Sequence, residues 1–195
     1  MKFITSAAFA LFSLLACGAV PAVAYMRTVG ATKDATVVYN LSQCGNAPCA
    51  LINHGMEPTL SASQQNGEAV RILLGFTLPA GISSSDSITA CQLQMQRPVQ
   101  GPNEQYGLTA SEALGNWDQV TVNGLTNLPT GKVLGSVQAT GNERPNVIDV
   151  TDACKDAASG SSDGSFSLWI DTSGPAVMFP SMKTGAASVL RVFTQ

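Results

Sequence analysis

The chain has 195 residues, of which 45% are hydrophobic and 12% charged, and its formal net charge is −3. This length suffices for one domain with a sizeable hydrophobic core. The mild acidity argues against nucleic acid or an anionic membrane as a partner, and against binding acidic polymers through bulk charge.

The first 24 residues are typical of a secretory signal peptide. Lys2 supplies the positive charge, Phe9–Leu15 lies in the apolar stretch, and Ala22-Val23-Ala24 offers small residues for cleavage. A membrane anchor is the alternative, but the apolar run is shorter than the ~20 residues that span a bilayer. Cleavage predicts a single domain over residues 25–195 that is secreted to the extracellular space or the cell wall.

The segment Asn40-Leu41-Ser42 is an N-glycosylation sequon. Such sequons also occur by chance, and this one matters because the chain is predicted to be secreted. We therefore expect Asn40 to be a candidate glycosylation site.

Four cysteines follow the predicted signal: Cys44, Cys49, Cys91 and Cys154. An even number in a secreted chain predicts two disulfides, which can be paired in three ways. The short loop between Cys44 and Cys49 favours a local bridge, and Cys91 would then pair with Cys154 over a long loop. A zinc site is the alternative, but it needs a closer cysteine cluster or several histidines, and the chain has one histidine.

Strand-like segments dominate the rest of the chain, with apolar residues alternating in period two between turns rich in Gly, Pro and Ser. The clearest are Val70–Gly81, Ile88–Met95, Gly115–Val122 and Phe166–Asp171. This pattern predicts an all-β domain, an antiparallel β-sandwich or barrel. Helical periodicity is confined to a possible single turn at Asp152–Ala157, which Asp152 could cap.

Alternation also assigns faces to the strand near residue 169. Phe166, Leu168 and Ile170 point to one side and form the natural core face. Trp169 points to the other side, so we expect its ring to meet solvent unless a second layer covers it.

Six short motifs occur in the order that is typical of one known family. The motifs are Asn53-His54-Gly55, Arg71–Leu78, Ile88–Met95, Trp117-Asp118 with Thr121-Val122, Ile148–Thr151, and Phe179-Pro180-Ser181. Together they resemble the DNRLRE domain, also called carbohydrate-binding module family 96. The chain departs from the family pattern by carrying His54 for a tyrosine and Gly75 and Thr77 at positions that are usually charged, and it lacks a second tryptophan after Val122.

The resemblance implies a jelly-roll-like β-sandwich that, in some members, binds polysaccharides such as alginate. A glycan-binding face usually offers aromatic planes and a few polar groups. Trp169, Tyr106 and Tyr39 are the candidate ligand-binding residues, whereas Trp117, at a strand start, is expected to be structural.

Catalytic and metal-binding patterns are weak. His54 is the one histidine, no Gly-x-Ser-x-Gly or His-Glu-x-x-His motif occurs, and nothing singles out a carboxylate pair. Calcium binding by Asp34, Asp149 and Asp171 is less favoured than a solvated surface role, because they lie far apart in sequence. We therefore predict no enzyme activity, no cofactor and no metal.

The sequence leaves three hypotheses. The first is a secreted, non-catalytic carbohydrate-binding protein whose partner is a polysaccharide or cell-wall glycan, with no nucleic-acid or membrane partner. The second is a structural or adhesive extracellular protein without a sugar ligand. The third is a small hydrolase or lyase, which two carboxylates facing one another across a cleft would favour.

Overall fold

The structure, a computed structural model, describes residues 24–65, 68–82, 84–102, 104–140, 146–160 and 163–195. The predicted signal peptide lies outside these residues, apart from Ala24. Among the residues described, no helix is long and apolar enough to cross a membrane.

Strands make up most of the described chain, and they are numbered here in chain order. They are β1 (Tyr25–Gly30), β2 (Lys33–Val38), β3 (Gln43–Cys44), β4 (Ala47–Pro48), β5 (Thr59–Gln65), β6 (Glu68–Thr77), β7 (Ile88–Met95), β8 (Gln105–Ala113), β9 (Thr130–Thr140), β10 (Asn146–Asp149), β11 (Ser165–Thr172), β12 (Val177–Pro180) and β13 (Val189–Thr194). An α-helix, α1, spans Thr151–Ser159, and 3₁₀ turns lie at Cys49–Leu51, Ser85–Ser87 and Met182–Thr184.

Two antiparallel sheets form the domain. The smaller has the order β1-β13-β7-β10, and the larger has the order β12-β5-β6-β11-β8-β9, with β2 also paired to β6. The strands β3 and β4 form a separate two-stranded ribbon. The predicted all-β, antiparallel sandwich is confirmed.

The main core lies between the two sheets, where alternation predicted it. In β6, Leu74 and Phe76 point inward beside Leu168 and Ile170 of β11. From the facing sheet, β7 contributes Cys91, Leu93 and Met95, which are all completely buried. Period-two spacing places these side chains on one face of each strand, so burying them stabilises the sandwich.

The segment predicted as a strand at Gly115–Val122 is not a strand. Residues 114–129 form turns and irregular backbone instead, and the strand that precedes them, β8, begins at Gln105. We call residues 114–129 the cover segment, because they lie over the outer face of the larger sheet. Their buried residues, Trp117, Val122 and Leu128, are five and six positions apart, so the segment packs against the sheet without the period-two spacing of a strand.

The helix is longer than the predicted single turn. It has nine residues and begins at Thr151, whose backbone N–H donates to Asp149 Oδ1 at 2.9 Å. The predicted cap, Asp152, lies in the first turn and forms an ion pair with Lys132. A carboxylate in this turn also suits the positive end of the helix dipole.

A second core forms between the cover segment and the larger sheet. Trp117, Val122 and Leu128 of the cover segment pack with Ala35, Val37, Leu73, Ala113 and Trp169 of the strands. Trp169 therefore has an exposed fraction of 0%, and the prediction that its ring meets solvent is wrong. Its direction was predicted correctly, since it points away from Leu168 and Ile170, but a second layer covers it.

Polar contacts attach the cover segment to the loop before β5. The Asn53 side-chain amide donates to the carbonyls of Gln119 and Val122 at 2.9 and 2.6 Å. Gly55 approaches so closely that a Cβ there would collide with the Gln119 backbone. The Asn53-His54-Gly55 motif is thus explained as a clamp on the cover segment.

Arg71 fills the rim of the second core. Its guanidinium carbon lies 4.4 Å from the centre of the Trp169 ring, and its nitrogens donate to both Asp171 oxygens at 2.6 and 2.8 Å. A third nitrogen donates to the Thr130 hydroxyl at 2.9 Å. The paired charge and the aromatic face together compensate the partial burial of the guanidinium.

Asp34 is a buried carboxylate that links three parts of the chain. It accepts hydrogen bonds from the Ser181 hydroxyl, the Met182 backbone N–H and the Gln119 amide at 3.1, 2.6 and 3.3 Å. Burial raises the pKa of Asp34 above its ordinary value, against the opposing effects of the Met182 and Ser181 hydrogen bonds and of Lys183.

Both predicted disulfides, Cys44–Cys49 and Cys91–Cys154, are confirmed. The first joins β3 to the 3₁₀ turn that follows β4. The second fixes α1 to β7 inside the core, where both cysteines are completely buried.

Removing the long-range disulfide should cost more stability than removing the local one. The chain-entropy model gives about 4 kcal/mol for the loop closed by Cys91 and Cys154, and about 2 kcal/mol for the short loop. Changing Cys91 and Cys154 together to Ala should therefore lower the free energy of unfolding more than changing Cys44 and Cys49 together. Denaturant unfolding of both double variants measures this, and the reverse order would contradict it.

Trp169→Ala should lower the free energy of unfolding by about 3–5 kcal/mol, because it opens a cavity in the second core. Trp169→Phe is the matched control. The buried Trp169 Nε1 has no hydrogen-bond partner among the described residues, so phenylalanine gives up ring volume but no hydrogen bond. Thermal and denaturant unfolding should place Trp169→Phe much nearer the wild type, and a small loss for Trp169→Ala would refute the second core.

The raised pKa of Asp34 makes stability depend on pH. The folded state binds the proton more tightly than the unfolded state, so this contribution is complete below the ordinary value of 3.8 and is lost as the pH rises through the folded value. Asp34→Asn cannot titrate. Denaturant unfolding across that range should show the wild type losing stability relative to Asp34→Asn as the pH rises, and a constant difference between the two would contradict this.

A cleft beside the cover segment as the candidate functional site

A cleft opens where the larger sheet splits. The first residues of β11, Ser165–Ser167, pair with β6 alone, because pairing with β8 begins only at Leu168 and Glu112. On its other edge, β8 has register shifts in its pairing with β9 between Ala110 and Ala113. The resulting cleft has a volume of about 420 Å³, which is in the usual range for ligand sites.

Three parts of the chain form its walls: the sheet, the start of the cover segment and one side of α1. The lining residues are Thr32, Lys33, Phe76, Glu112, Ala113, Leu114, Gly115, Asn116, Ala153, Asp156, Ala157, Ser165, Phe166 and Ser167.

Two carboxylates line this cleft from different elements. Glu112 lies at the end of β8, where its Oε2 accepts the backbone N–H of Lys132 at 3.1 Å. Asp156 lies on the exposed side of α1. The nearby Lys132 ammonium is paired with Asp152, and this bond is the main cause that raises the pKa of Lys132.

Lys33 is the cation among the lining residues. Its aliphatic chain crosses Gly75, where a Cβ would lie 2.6 Å from the lysine Cγ. Its ammonium donates to the Trp117 carbonyl at 2.7 Å and lies 4.3 Å from the centre of the Trp117 ring. Burial lowers the pKa of Lys33, and Asp118 opposes this effect. The absence of a side chain at Gly75 thus makes room for Lys33.

The other lining groups suit a ligand with many hydroxyl groups. Phe166 presents a half-buried ring beside Phe76, with ring centres 5.9 Å apart. The Ser167 hydroxyl accepts from Trp117 Nε1 at 2.9 Å, so its own proton remains available to donate. Asn116 is exposed and can both donate and accept.

The three aromatic residues predicted to bind a ligand do not meet at one surface. Tyr106 belongs to the main core, with an exposed fraction of 2%, and its hydroxyl accepts from the Asn146 amide at 3.2 Å. Tyr39 is half-buried, with its ring centre 6.2 Å from that of Trp169. Burial raises the pKa of both tyrosines. Trp117 is buried, in agreement with a structural role.

The titratable residues considered for catalysis or calcium have separate protein partners. His54 Nδ1 lies 2.6 Å from Glu57 Oε1, and His54 is not among the residues that line the cleft. Asp171 pairs with Arg71, and Asp149 accepts from the Thr151 hydroxyl at 2.6 Å. In the part of the chain that the structure describes, no group of three or more acidic, histidine or cysteine residues is placed to hold a metal ion.

The predicted glycosylation site Asn40 is half-buried, and its side-chain oxygen accepts the backbone N–H of Ser42 at 2.7 Å. Its modification stays a prediction.

Sequence reasoning missed the cleft residues. Glu112 belongs to a strand that the pattern did not indicate, and Asp156 lies on a helix predicted to be one turn. No motif links the two, because only the fold brings the end of β8 to α1.

Comparison with known proteins places this fold in a family. A model of carbohydrate-binding module family 96 matches residues 28–194, which include all the residues that line the cleft. The chain is also similar to an uncharacterized secreted protein of Arthroderma benhamiae, with 29% identity over 161 residues that cover 76% of this chain and 81% of the relative. Since the family model matches well over half of the sequence, the chain belongs to carbohydrate-binding module family 96.

Proposed function

We propose that this chain is a secreted, non-catalytic protein that binds a cell-wall or extracellular polysaccharide in the cleft. The observation that carries the proposal is the cleft itself: about 420 Å³, open to solvent, with polar side chains around an aromatic ring. Family membership supports a carbohydrate ligand. The predicted signal peptide and the secreted relative support an extracellular location.

We place the proposed sugar site in the cleft and not at the aromatic residues that were predicted from the sequence. Stacking on a sugar requires an accessible ring face, and the Trp169 and Tyr106 rings are buried. Phe166 offers a partly accessible ring inside the cleft. Asn116 and Ser167 add hydrogen-bonding groups beside it.

A glycoside hydrolase is the second candidate, because Glu112 and Asp156 line one cleft. Two observations favour binding alone. A carboxyl group that acts as the acid in such enzymes usually sits in an apolar pocket, whereas Asp156 is exposed. Glu112 is already engaged by the Lys132 backbone N–H. Release of reducing sugar from any glycan by the wild type, and its loss in Glu112→Gln, would favour the hydrolase.

The structural or adhesive alternative predicts no saturable binding to oligosaccharides. A glycan array with the wild-type protein separates it from the proposed function, since an adhesive protein without a sugar site would leave every glycan unbound.

Asn116→Ala should weaken binding of the best oligosaccharide from that array by about three- to tenfold, the value of one hydrogen bond. Its melting temperature should hardly change, because Asn116 is exposed and makes no side-chain hydrogen bond within the described residues. Asn127→Ala, an exposed asparagine of the cover segment that does not line the cleft, is the matched control. Calorimetric titration and melting of both variants test this, and equal binding by the two would place the glycan elsewhere.

A further inference from the structure

The lysines around the cleft contact other protein groups, whereas the carboxylates that line it have fewer such contacts. Two cations beside the cleft contact protein partners: the Lys33 ammonium contacts the Trp117 carbonyl and ring, and the Lys132 ammonium contacts Asp152. Lys132 also interacts electrostatically with Glu112 and Asp156, and Lys155 interacts with Asp152. These cations offset part of the negative charge around the cleft but do not cancel it.

The carboxylates that line the cleft are engaged less completely. Glu112 uses one oxygen to accept the Lys132 backbone N–H, and its second oxygen has no partner among the described residues. Asp156 has no side-chain hydrogen bond or ion pair in the same set of residues. Asp118 and Asp152 are balanced by Lys33 and Lys132, with which they interact. Since Lys155 also acts on Asp152, four carboxylates face three ammonium groups, and the cleft keeps a net negative charge.

This arrangement has a consequence for ligand choice. A uronic acid would bring its carboxylate toward Glu112 and Asp156, where the carboxylates outnumber the ammonium groups, so like-charge repulsion would disfavour it. An ammonium group would form short, charge-assisted hydrogen bonds with the same oxygens. Both carboxylates belong to a concave site that also carries Asn116 and the Phe166 ring. A surface that binds only cations would need neither of these two groups, whereas a sugar site uses both.

We infer that the cleft selects polysaccharides with free amino groups, such as polymers of glucosamine, over N-acetylated and acidic ones. This inference rests on the proposed function and names its substrate class. Each ammonium group of such a polymer would lie against Glu112 or Asp156, while hydroxyl groups contact Asn116 and Ser167.

Calorimetric titration with three oligosaccharides of equal length tests the inference: glucosamine, N-acetylglucosamine and a uronic acid. The titration is run at mildly acidic pH, where glucosamine is protonated. We expect the glucosamine oligomer to bind at least about tenfold more tightly than the N-acetylated one, as expected for one charge-assisted hydrogen bond. The uronic acid oligomer should bind most weakly, and the preference should shrink in high salt.

Two variants locate the preference. Glu112→Gln keeps an oxygen for the Lys132 N–H, and Asp156→Asn lies on an exposed helix surface, so both should fold normally. Each should lower glucosamine affinity several-fold and leave N-acetylglucosamine affinity unchanged. Glu104→Gln removes an exposed carboxylate outside the cleft and should change neither affinity.

The possible results distinguish the amino-sugar preference from polysaccharide binding as such. Equal binding of the glucosamine and N-acetylated oligomers, tight uronic acid binding, or an equal loss in Glu104→Gln would overturn the amino-sugar preference. If binding of any glycan then still depends on Asn116, the proposed function stands. If no oligosaccharide binds, both fall.

Discussion

The burial of Trp169 beneath the cover segment is the interaction on which the rest of the structure depends. A β-sandwich needs only one buried face per sheet, but the larger sheet here has apolar side chains on both. Leu73 and Trp169 would leave an apolar patch in water unless a second layer covered them. Because β8 ends beside them, the chain that follows it can fold back and supply Trp117, Val122 and Leu128.

Covering an outer sheet face brings polar groups into partly buried places, and most of those named here have a partner, although the Trp169 indole nitrogen has none among the described residues. Arg71 is held between Trp169 and Asp171, and the carbonyls of the cover segment receive the Asn53 amide. These contacts explain the structural roles of Arg71 and of the Asn53-His54-Gly55 segment. Arg71 of β6 and the Asn53-His54-Gly55 segment support the second core and do not line the cleft.

The sequence allowed the main core to be predicted, because alternation is a local property of each strand. It placed Ile88–Met95 at the bounds that the structure has, and it separated Leu168 and Ile170 from Trp169. Whether an outer face is solvated or covered is decided by a distant segment, so the burial of Trp169 was missed. The same limit applies to the cleft, where Glu112 and Asp156 come from elements that only tertiary packing brings together.

Two of the three walls of the cleft, α1 and the start of the cover segment, are held in place by contacts within the protein. The Cys91–Cys154 bond fixes α1, which carries Asp156, to a buried strand. Trp117 anchors the start of the cover segment, which forms another wall. Its ring packs in the second core, its indole N–H donates to the Ser167 hydroxyl, and its carbonyl accepts from the Lys33 ammonium. A site held in this way loses little conformational entropy on binding, so more of the contact energy appears as affinity. A sugar is strongly hydrated, so each hydrogen bond that it forms with the protein replaces one to water and contributes little free energy. Preorganisation of the site is therefore a main source of the favourable binding free energy. The second core therefore matters for recognition even though none of its aromatic rings needs to touch the glycan.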